Sequence, residues 1–164
     1  MSSDSLRVTG AEFRRACGRF ATGVTIATVV DSAGAPHGLT VSSFTSVSLD
    51  PPLILICVGH EAATFALFSK ATHFGINVLS SDQQPLSDHF ARKGHDRFGG
   101  LEWKPGRTGA PLIPGCIAQI ECAMHRKVKM GDHDIFVGEM VRMHVTDGEP
   151  LLHYHGAYRK LEPL

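Results

Sequence analysis

The sequence lacks the motifs that most directly assign a protein to a reaction class. It contains no G-x-G-x-x-G, no G-x-x-x-x-G-K-[ST] and no G-x-S-x-G, so the usual signals of Rossmann dinucleotide binding, P-loop chemistry and α/β-hydrolases are missing. An excess of either charge is missing too, because 16 Lys and Arg residues balance 16 Asp and Glu residues. No global basic field therefore exists to hold nucleic acid or an anionic membrane, and any phosphate site must be local.

Long hydrophobic runs and paired cysteines are also missing. The longest apolar run, Leu53 to Val58, is far shorter than the roughly 18 residues that span a bilayer, and residues 1–10 carry no hydrophobic signal core. The cysteines form no C-x-x-C pair and each has apolar neighbours, which predicts buried free thiols: Cys17, Cys57, Cys116 and Cys122. We therefore expect a cytoplasmic protein that binds neither a membrane nor nucleic acid.

Metal ligands at a recognisable spacing are scarce. The nearest candidate is His153-Tyr154-His155, whose two imidazoles would share one face of a strand at i and i+2. A chain with ten histidines produces such pairs by coincidence, and no Cys or carboxylate stands at a matching spacing. We therefore expect no metal site.

Strand patterns dominate what the sequence does contain. The β-branched run from Val24 to Val30 is followed by turn residues at 31–36, which predicts a hairpin that ends near Val41. Two long, partly alternating runs are joined by a short turn at residues 131–133 and predict a second hairpin. The two runs of that hairpin are 116–130 and 134–145. Further strands are predicted at 53–58, 74–79 and 151–155.

Helices are predicted between these strands. Thr9-Gly10-Ala11-Glu12 fits a capping box, and the apolar residues after it have helical spacing, which predicts an amphipathic helix from Gly10 to Arg19. Two more helices are predicted at 61–70 and 82–93, and the glycine- and proline-rich segment 99–114 is predicted to be irregular. Because only turns separate the paired strands, we predict a mainly β fold with inserted helices, in which a six-stranded antiparallel Greek-key barrel forms a single domain over residues 1–164.

A hydroxyl-rich stretch lies between the two apolar segments of residues 37–58. Its Ser and Thr side chains alternate with Val41, Phe44, Val47 and Leu49, which predicts a pleated strand with one core face and one face available to a polar ligand. Ser and Thr are also common where strands pass into loops, and that interpretation explains the same composition. The hydroxyl residues are Thr40, Ser42, Ser43, Thr45, Ser46 and Ser48.

Five blocks, taken together and in order, resemble the short-chain flavin reductases that serve two-component monooxygenases. The resemblance runs from about Phe13 to Leu161. It implies an FMN-binding split β-barrel, a homodimer, FMN or FAD reduced by NADH or NADPH, and a separate monooxygenase that receives the reduced flavin. The blocks are GLTVSSFTSVSLDPPLILICV at 38–58, FGINVLSSDQQPLSDHFA at 74–91, RKGHDRF at 92–98, GDHDIFVGEM at 131–140 and PLLHYHGAYRKL at 150–161.

The resemblance also implies site residues. The residues that would hold the isoalloxazine edge and the ribityl chain are Thr40, Val41, Ser42, Ser43 and Ser46, and the same pocket would be lined by Cys57 and Val58. The block placed near the flavin phosphate contains Phe90, Ala91, Lys93 and Arg97. The residues placed near the nicotinamide are His133, as the candidate catalytic group, with Tyr154 and Tyr158. The alternatives are that Lys93 and Arg97 belong to a solvated helix end and that His133 lies in a turn that is merely exposed.

The implied reaction explains why acid and base candidates are few. Hydride transfer from nicotinamide to flavin is performed by the two cofactors, so the protein has mainly to stack the rings and exclude water. A non-catalytic flavin carrier or sensor, and a flavin oxidase with another substrate, are alternatives on the same barrel. The histidine-rich block at 153–155 departs from the aromatic–arginine pattern of the family, and no adenine-specific signature separates FMN from FAD.

Overall fold

The structure is a computed structural model that describes residues 7–162. The two ends of the predicted domain, residues 1–6 and 163–164, lie outside the described residues. The elements are α1 Gly10–Cys17, β1 Thr22–Gly23, β2 Thr25–Val30, β3 Pro36–Val41, β4 Thr45–Leu49, β5 Pro52–Gly59, α2 Phe65–Lys70, β6 His73–Val78, α3 Gln84–Ala91, β7 Lys104–Pro105, β8 Pro111–Leu112, β9 Ala118–Met130, β10 His133–Val145, β11 Leu152–Tyr154 and β12 Ala157–Arg159.

One antiparallel sheet organises the described chain. Its strand order is β3-β2-β6-β9-β10-β5-β4, so the predicted hairpins β2–β3 and β9–β10 lie side by side through β6. The prediction of a mainly β fold with inserted helices is confirmed. The prediction of six strands in a Greek-key barrel is not confirmed, because this sheet has seven strands and its two edge strands, β3 and β4, are not hydrogen-bonded to each other.

The extra strand arises within the hydroxyl-rich stretch. Residues 42–44, which we call the edge linker, leave the ladder, so β3 ends at Val41 and β4 begins at Thr45 at the opposite edge of the sheet. The Cα atoms of these two residues can be at most about 14 Å apart, because only four virtual bonds join them. The sheet must therefore curl until its two edges approach each other at the edge linker.

The predicted core face of β4 is wrong. Val47 is 49% exposed and Leu49 is 97% exposed. The register between β4 and β5 shifts between Ser46 and Ser48, and such a bulge interrupts the twofold alternation on which the prediction depended. As an edge strand, β4 also packs against a neighbour on one side only.

Two hydrophobic cores cover the two faces of the curled sheet. The strand β2 contributes to both, since Ala27 and Val29 face one core, while Ile26 and the preceding Val24 face the other. Burial on both faces explains why its sequence is a continuous apolar run without alternation. The inner core contains Ala27, Val29, Val41, Ile54, Ile56, Val58, Phe68, Phe74, Ile76, Ile120, Cys122 and Phe136, and the outer core contains Val24, Ile26, Leu79, Phe90, Phe98, Ile113, Cys116 and Leu151.

The first helix has its predicted start but leaves its apolar side chains uncovered. The Thr9 hydroxyl accepts from the Glu12 N–H at 3.3 Å, and the Glu12 carboxylate accepts from the Thr9 N–H at 2.9 Å, which completes the capping box. The helix ends at Cys17, two residues before the predicted end. None of its residues is buried, and Phe13 is 61% exposed. Phe20 just beyond it is 77% exposed.

The cysteines are free thiols, as predicted, but their burial differs from the prediction. Cys116 and Cys122 are buried, Cys57 is half-buried, and Cys17 is exposed because nothing within the described chain covers its helix face. Burial raises the pKa of the Cys116 and Cys122 thiols to about 12. These two thiols are therefore unreactive packing groups near neutral pH.

The helices α2 and α3 are shorter than predicted, and the strands β7, β8 and β12 were not predicted. Turns occupy residues 61–64 before α2, and α3 ends at Ala91, ahead of Gly94. Within the predicted irregular segment, β7 and β8 pair as a small hairpin. The chain end adds β12, which pairs with β11, and β11 pairs with β1. In the part of the chain that the structure describes, no helix is long and apolar enough to cross a membrane.

Candidate functional site

A small cleft brings together five of the predicted site residues. Its volume is about 130 Å³, and we call it the basic cleft. It lies where α3 and the segment after it cross β3, opposite the turn that precedes α2. Its lining residues are Leu39, Thr40, Ala62, Ala63, Thr64, Phe90, Ala91, Lys93 and Arg97. Sequence reasoning missed Leu39 and residues 62–64, because their neighbours in the cleft are distant in sequence.

The guanidinium of Arg97 is fixed at one wall of the basic cleft. It donates through Nη1 to the Gly38 carbonyl at 3.1 Å, and through Nε and Nη2 to the Arg92 carbonyl at 3.2 and 2.8 Å. These bonds use three of its five N–H groups, so donors remain for an anion. Burial lowers the pKa of Arg97, and the group still stays cationic. The alternative of a freely solvated helix end is therefore wrong for Arg97.

Thr64 lines the same cleft and carries a buried, unpaired hydroxyl. The residue is 3% exposed, and its hydroxyl oxygen is buried with no hydrogen-bond partner in the described structure. A buried hydroxyl without a partner is costly, and such a group in a native structure calls for a ligand or an ordered water. A phosphate oxygen, which accepts hydrogen bonds and carries negative charge, fits a cleft with this hydroxyl and two cations.

Ser43 ties the edge linker to β5. Its Oγ accepts from the Cys57 N–H at 2.9 Å and donates to the Cys57 carbonyl at 3.2 Å. The strand β4 pairs with β5 only from Pro52 to Leu55, so Cys57 lies beyond the end of β4 on that edge. The hydroxyl of Ser43 therefore takes the place of the missing strand and holds the edge linker against β5.

The other hydroxyls of the predicted flavin edge fall into two groups. Thr40 Oγ1 donates to the Ser87 carbonyl at 2.7 Å, which ties β3 to α3. Ser42 and Ser46 are exposed, and their hydroxyls make no hydrogen bond within residues 7–162. These two side chains, with the backbone of the edge linker, are the polar groups that the fold leaves available to a ligand.

Two predicted site residues turn their side chains into the core. Val41 is 5% exposed and Val58 is 1% exposed, and both belong to the inner core. The Val41 carbonyl already accepts from Thr25 Oγ1 at 2.9 Å. Any contact of these residues with a ligand must therefore come from the backbone, because the pleat points their side chains away from the surface that Cys57 faces.

His133 stands at the end of the β5–β10 ladder, on the same surface as Cys57. It pairs with Gly59, and Ile135 pairs with Cys57, so the surface continues along both strands over roughly 7 Å. A Cβ atom on Gly59 would lie 3.2 Å from His133 Nε2, so the absence of a side chain there makes room for the imidazole. Asp132 lies 2.7 Å from His133 Nδ1, and this hydrogen bond lowers the pKa of the Asp132 carboxyl.

The two predicted tyrosines lie on opposite faces of the small sheet. Tyr158 pairs with His153, and Tyr154 pairs with Ala157, so their side chains diverge. The Tyr158 hydroxyl lies 2.8 Å from Ser87 Oγ and donates to Asp88 Oδ1 at 3.0 Å. Burial raises the pKa of the Tyr158 phenol, and Asp88 raises it further. Tyr158 thus contacts α3 behind the basic cleft, and the structure does not bring Tyr154 to that place.

The two histidines around Tyr154 do not share a strand face. The strand β11 ends at Tyr154, and His155 lies in the following turn with φ of 52°. The alternation that the sequence suggests therefore stops before His155.

Comparisons with known proteins agree on one family. The model of the family described as flavin reductase like domain matches residues 17–162. The FMN reductase (NADH) SmoA of Agrobacterium fabrum is 44% identical over 162 residues, which are 96% of this chain and 92% of that protein. The flavin-dependent monooxygenase reductase subunit HsaB of Rhodococcus jostii is 35% identical, with 92% and 77% covered. Some relatives are longer, and the chain spans 47% of one of them.

A solved structure matches the fold over nearly the whole chain. It is the NADH:FAD oxidoreductase SgcE6 of Streptomyces globisporus C-1027 in complex with NAD and FAD fragments, with a TM-score of 0.88, 42% identity and 93% of each chain covered. The agreement with the flavin reductases therefore holds for the fold as well as for the sequence.

Proposed function

The chain belongs to the flavin reductase like domain family, and we propose that it is an NADH-dependent flavin reductase that supplies reduced FMN or FAD to a separate flavin-dependent monooxygenase. The observation that carries the proposal is the basic cleft, where two cations and an unpaired buried hydroxyl meet beside the hydroxyl-rich edge of the sheet. Relatives named FMN reductase (NADH), NADH-dependent FAD reductase and reductase subunit of a flavin-dependent monooxygenase support it.

The basic cleft would hold the flavin phosphate. Lys93 and Arg97 supply positive charge, and Thr64 supplies a hydroxyl whose partner is missing within the described chain. Thr40 also lines the cleft, but its one hydroxyl donor is used by the Ser87 carbonyl, so it contributes shape and not a hydrogen bond to a phosphate. Phe90, which is fully buried, and Ala91 give the cleft an apolar wall.

The edge linker and the end of β5 would hold the flavin ring. Ser42 and Ser46 offer hydroxyls, and the backbone of the edge linker offers further polar groups. Cys57 is half-buried on the same surface as His133. An apolar surface with a few polar groups suits an isoalloxazine, which has one hydrogen-bonding edge and an otherwise aromatic body.

His133 would lie on the nicotinamide side of this surface. The nicotinamide and the flavin, when both are bound, supply the hydride donor and the hydride acceptor. The chain has to orient both and exclude water, and the imidazole of His133, which is hydrogen-bonded to Asp132, is the titratable group best placed to hold a proton or a hydrogen bond there. Tyr158 would support the site from behind α3.

We also propose the finer architecture and assembly that the family implies. The curled sheet, open between β3 and β4, would be the split barrel, and one domain would span the chain, since a single sheet takes its strands from residues 25–145. A homodimer would cover apolar side chains that one chain leaves exposed, such as Phe13, Phe20 and Met143. Four free cysteines agree with a cytoplasmic location.

The deciding experiment is oxidation of NADH and NADPH by the purified protein with FMN, FAD or riboflavin as acceptor. We expect flavin-dependent oxidation that prefers NADH, and anaerobic bleaching of the flavin by NADH. Oxidation no faster than in buffer with the same flavin would refute the reductase function and leave a carrier or sensor. Flavin that NADH does not bleach without oxygen would indicate an oxidase with another substrate.

A further inference from the structure

A second His–Asp pair lies beside His133 at the end of the β5–β10 ladder. His60 Nε2 is 2.8 Å from Asp134 Oδ1, and the two side chains are 29% and 18% exposed. A carboxylate can only accept, so Nε2 of His60 carries the hydrogen of this bond. The His60 ring packs edge-on against Phe65, with ring centroids 4.8 Å apart.

His60 holds the residues on both sides of His133. Its backbone N–H donates to the Asp132 carbonyl at 2.9 Å, and its imidazole holds the side chain of Asp134. Asp134 pairs with the buried Val58, so it faces the inner core, while His133 faces the opposite surface. The contacts of His60 therefore fix the backbone of residues 132–134 without touching the His133 imidazole.

His133 has few other restraints. Its side chain is 50% exposed, and that of its partner Asp132 is 95% exposed, so the bond between them cannot by itself fix the imidazole in space. His133 also lies at the last pair of the ladder, where hydrogen bonds fray most easily. The position of His133 therefore depends on how firmly its neighbours are held.

His60 also begins the segment that ends in the basic cleft. Ala62, Ala63 and Thr64 follow it within four residues and line that cleft. His60, which bonds to residues on both sides of His133, is thus continuous with the wall that would hold the flavin phosphate.

We propose that His60, through its hydrogen bond to Asp134, is a positioning residue that fixes His133 relative to the basic cleft. The proposal rests on the proposed reductase function. Because the imidazole does not face the ligand surface, its loss should affect the nicotinamide step and leave flavin binding intact. If His60 acted only on stability, its replacement would weaken the nicotinamide step and flavin binding equally, in proportion to the fraction of unfolded protein.

The test compares His60→Phe, which keeps a ring against Phe65 but cannot donate, with His60→Gln, whose amide can donate to Asp134. We expect His60→Phe to raise the KM for NADH or lower kcat by roughly three- to tenfold, as for the loss of one hydrogen bond. The FMN Kd should stay within about twofold. His60→Gln and Asp134→Asn, which keep a donor and an acceptor, should remain close to the wild type. Wild-type NADH kinetics in His60→Phe, or an equal defect in His60→Gln, would overturn the proposal.

Hydrogen–deuterium exchange gives a readout that does not depend on activity. Amides of residues 131–135 should exchange faster in His60→Phe than in the wild type or His60→Gln, with unchanged exchange in β9 and β6. Unchanged exchange at 131–135 would refute the positioning role. A wild-type protein that does not oxidise NADH would refute the reductase function instead, and the exchange measurement would still decide whether the pair fixes the turn.

Discussion

Replacing Ser43 with alanine should destabilise the fold even though the residue lies at a ligand-facing edge. The substitution removes two hydrogen bonds to the backbone of Cys57, at 2.9 and 3.2 Å. It leaves the Cys57 N–H and carbonyl without the hydroxyl that pairs with them in place of a strand. A net hydrogen bond contributes about 0.5–1.5 kcal/mol, and an unpaired buried group costs about 1–3 kcal/mol, so we expect a loss of about 2 kcal/mol.

The loss should be visible as a lower Tm. For a chain of this size, 1 kcal/mol corresponds to about 2–4 °C, so Ser43→Ala should melt about 4–8 °C below the wild type. Ser42→Ala is the matched control, because the neighbouring hydroxyl is exposed and makes no hydrogen bond within the described residues. It should leave the Tm unchanged and weaken only FMN binding. Ser43→Thr, which keeps a hydroxyl, should retain most of the stability.

The result that would refute this reasoning is an unchanged Tm in Ser43→Ala. If the same variant lost FMN affinity, the Ser43 hydroxyl would contact the flavin directly, and Cys57 would obtain its hydrogen bonds elsewhere. Calorimetry of the protein without flavin, followed by a fluorescence titration with FMN, separates these outcomes.

Four further predictions concern the cleft and the core. Lys93→Met should raise the Kd for FMN about tenfold but not that for riboflavin, which has no phosphate; Lys93→Arg is the control, and equal losses for both flavins would contradict a phosphate role. Thr64→Val should keep or raise the Tm of the flavin-free protein, since it removes an unpaired buried hydroxyl, while FMN titration shows weaker binding. Gly138→Ala should lower stability in urea by about 1–3 kcal/mol, because its Cβ would overlap the Phe74 ring and lie 2.7 Å from Cys122 Cβ. Since burial raises the pKa of the Cys122 thiol to about 12, iodoacetamide at about pH 9 should label it only after unfolding, as mass spectrometry can check.

Local sequence signals predicted the parts of the fold that depend on neighbours along the chain. Short stretches of neighbouring residues specify the capping box of Thr9 and Glu12 and the turns of the β2–β3 and β9–β10 hairpins. The flavin reductase family, predicted from five ordered blocks, is confirmed by the match over residues 17–162. The cleft residues Thr40, Phe90 and Lys93 were found because they belong to those blocks.

Features that depend on distant partners could not be predicted in this way. The alternation of hydroxyl and apolar residues continues through the edge linker, so nothing local marks the point where β3 stops and β4 joins the opposite edge. Thr64 is notable only because tertiary packing buries its hydroxyl without a partner. Phe13 is likewise exposed because no other described element covers the apolar face of α1. The amphipathic pattern shows that such a face exists but not whether anything packs against it.

The edge linker has a consequence for how readily the site can change in evolution. Residues 42–44 lie outside the ladder, so the stability of the sheet does not depend on their amides, and in this segment only Ser43 anchors the linker to Cys57. Affinity for a ligand can therefore be tuned at residues 42 and 46 with little effect on folding. A reductase that must release its reduced flavin to another protein benefits from that separation, because weak or strong binding can be selected without altering the sheet.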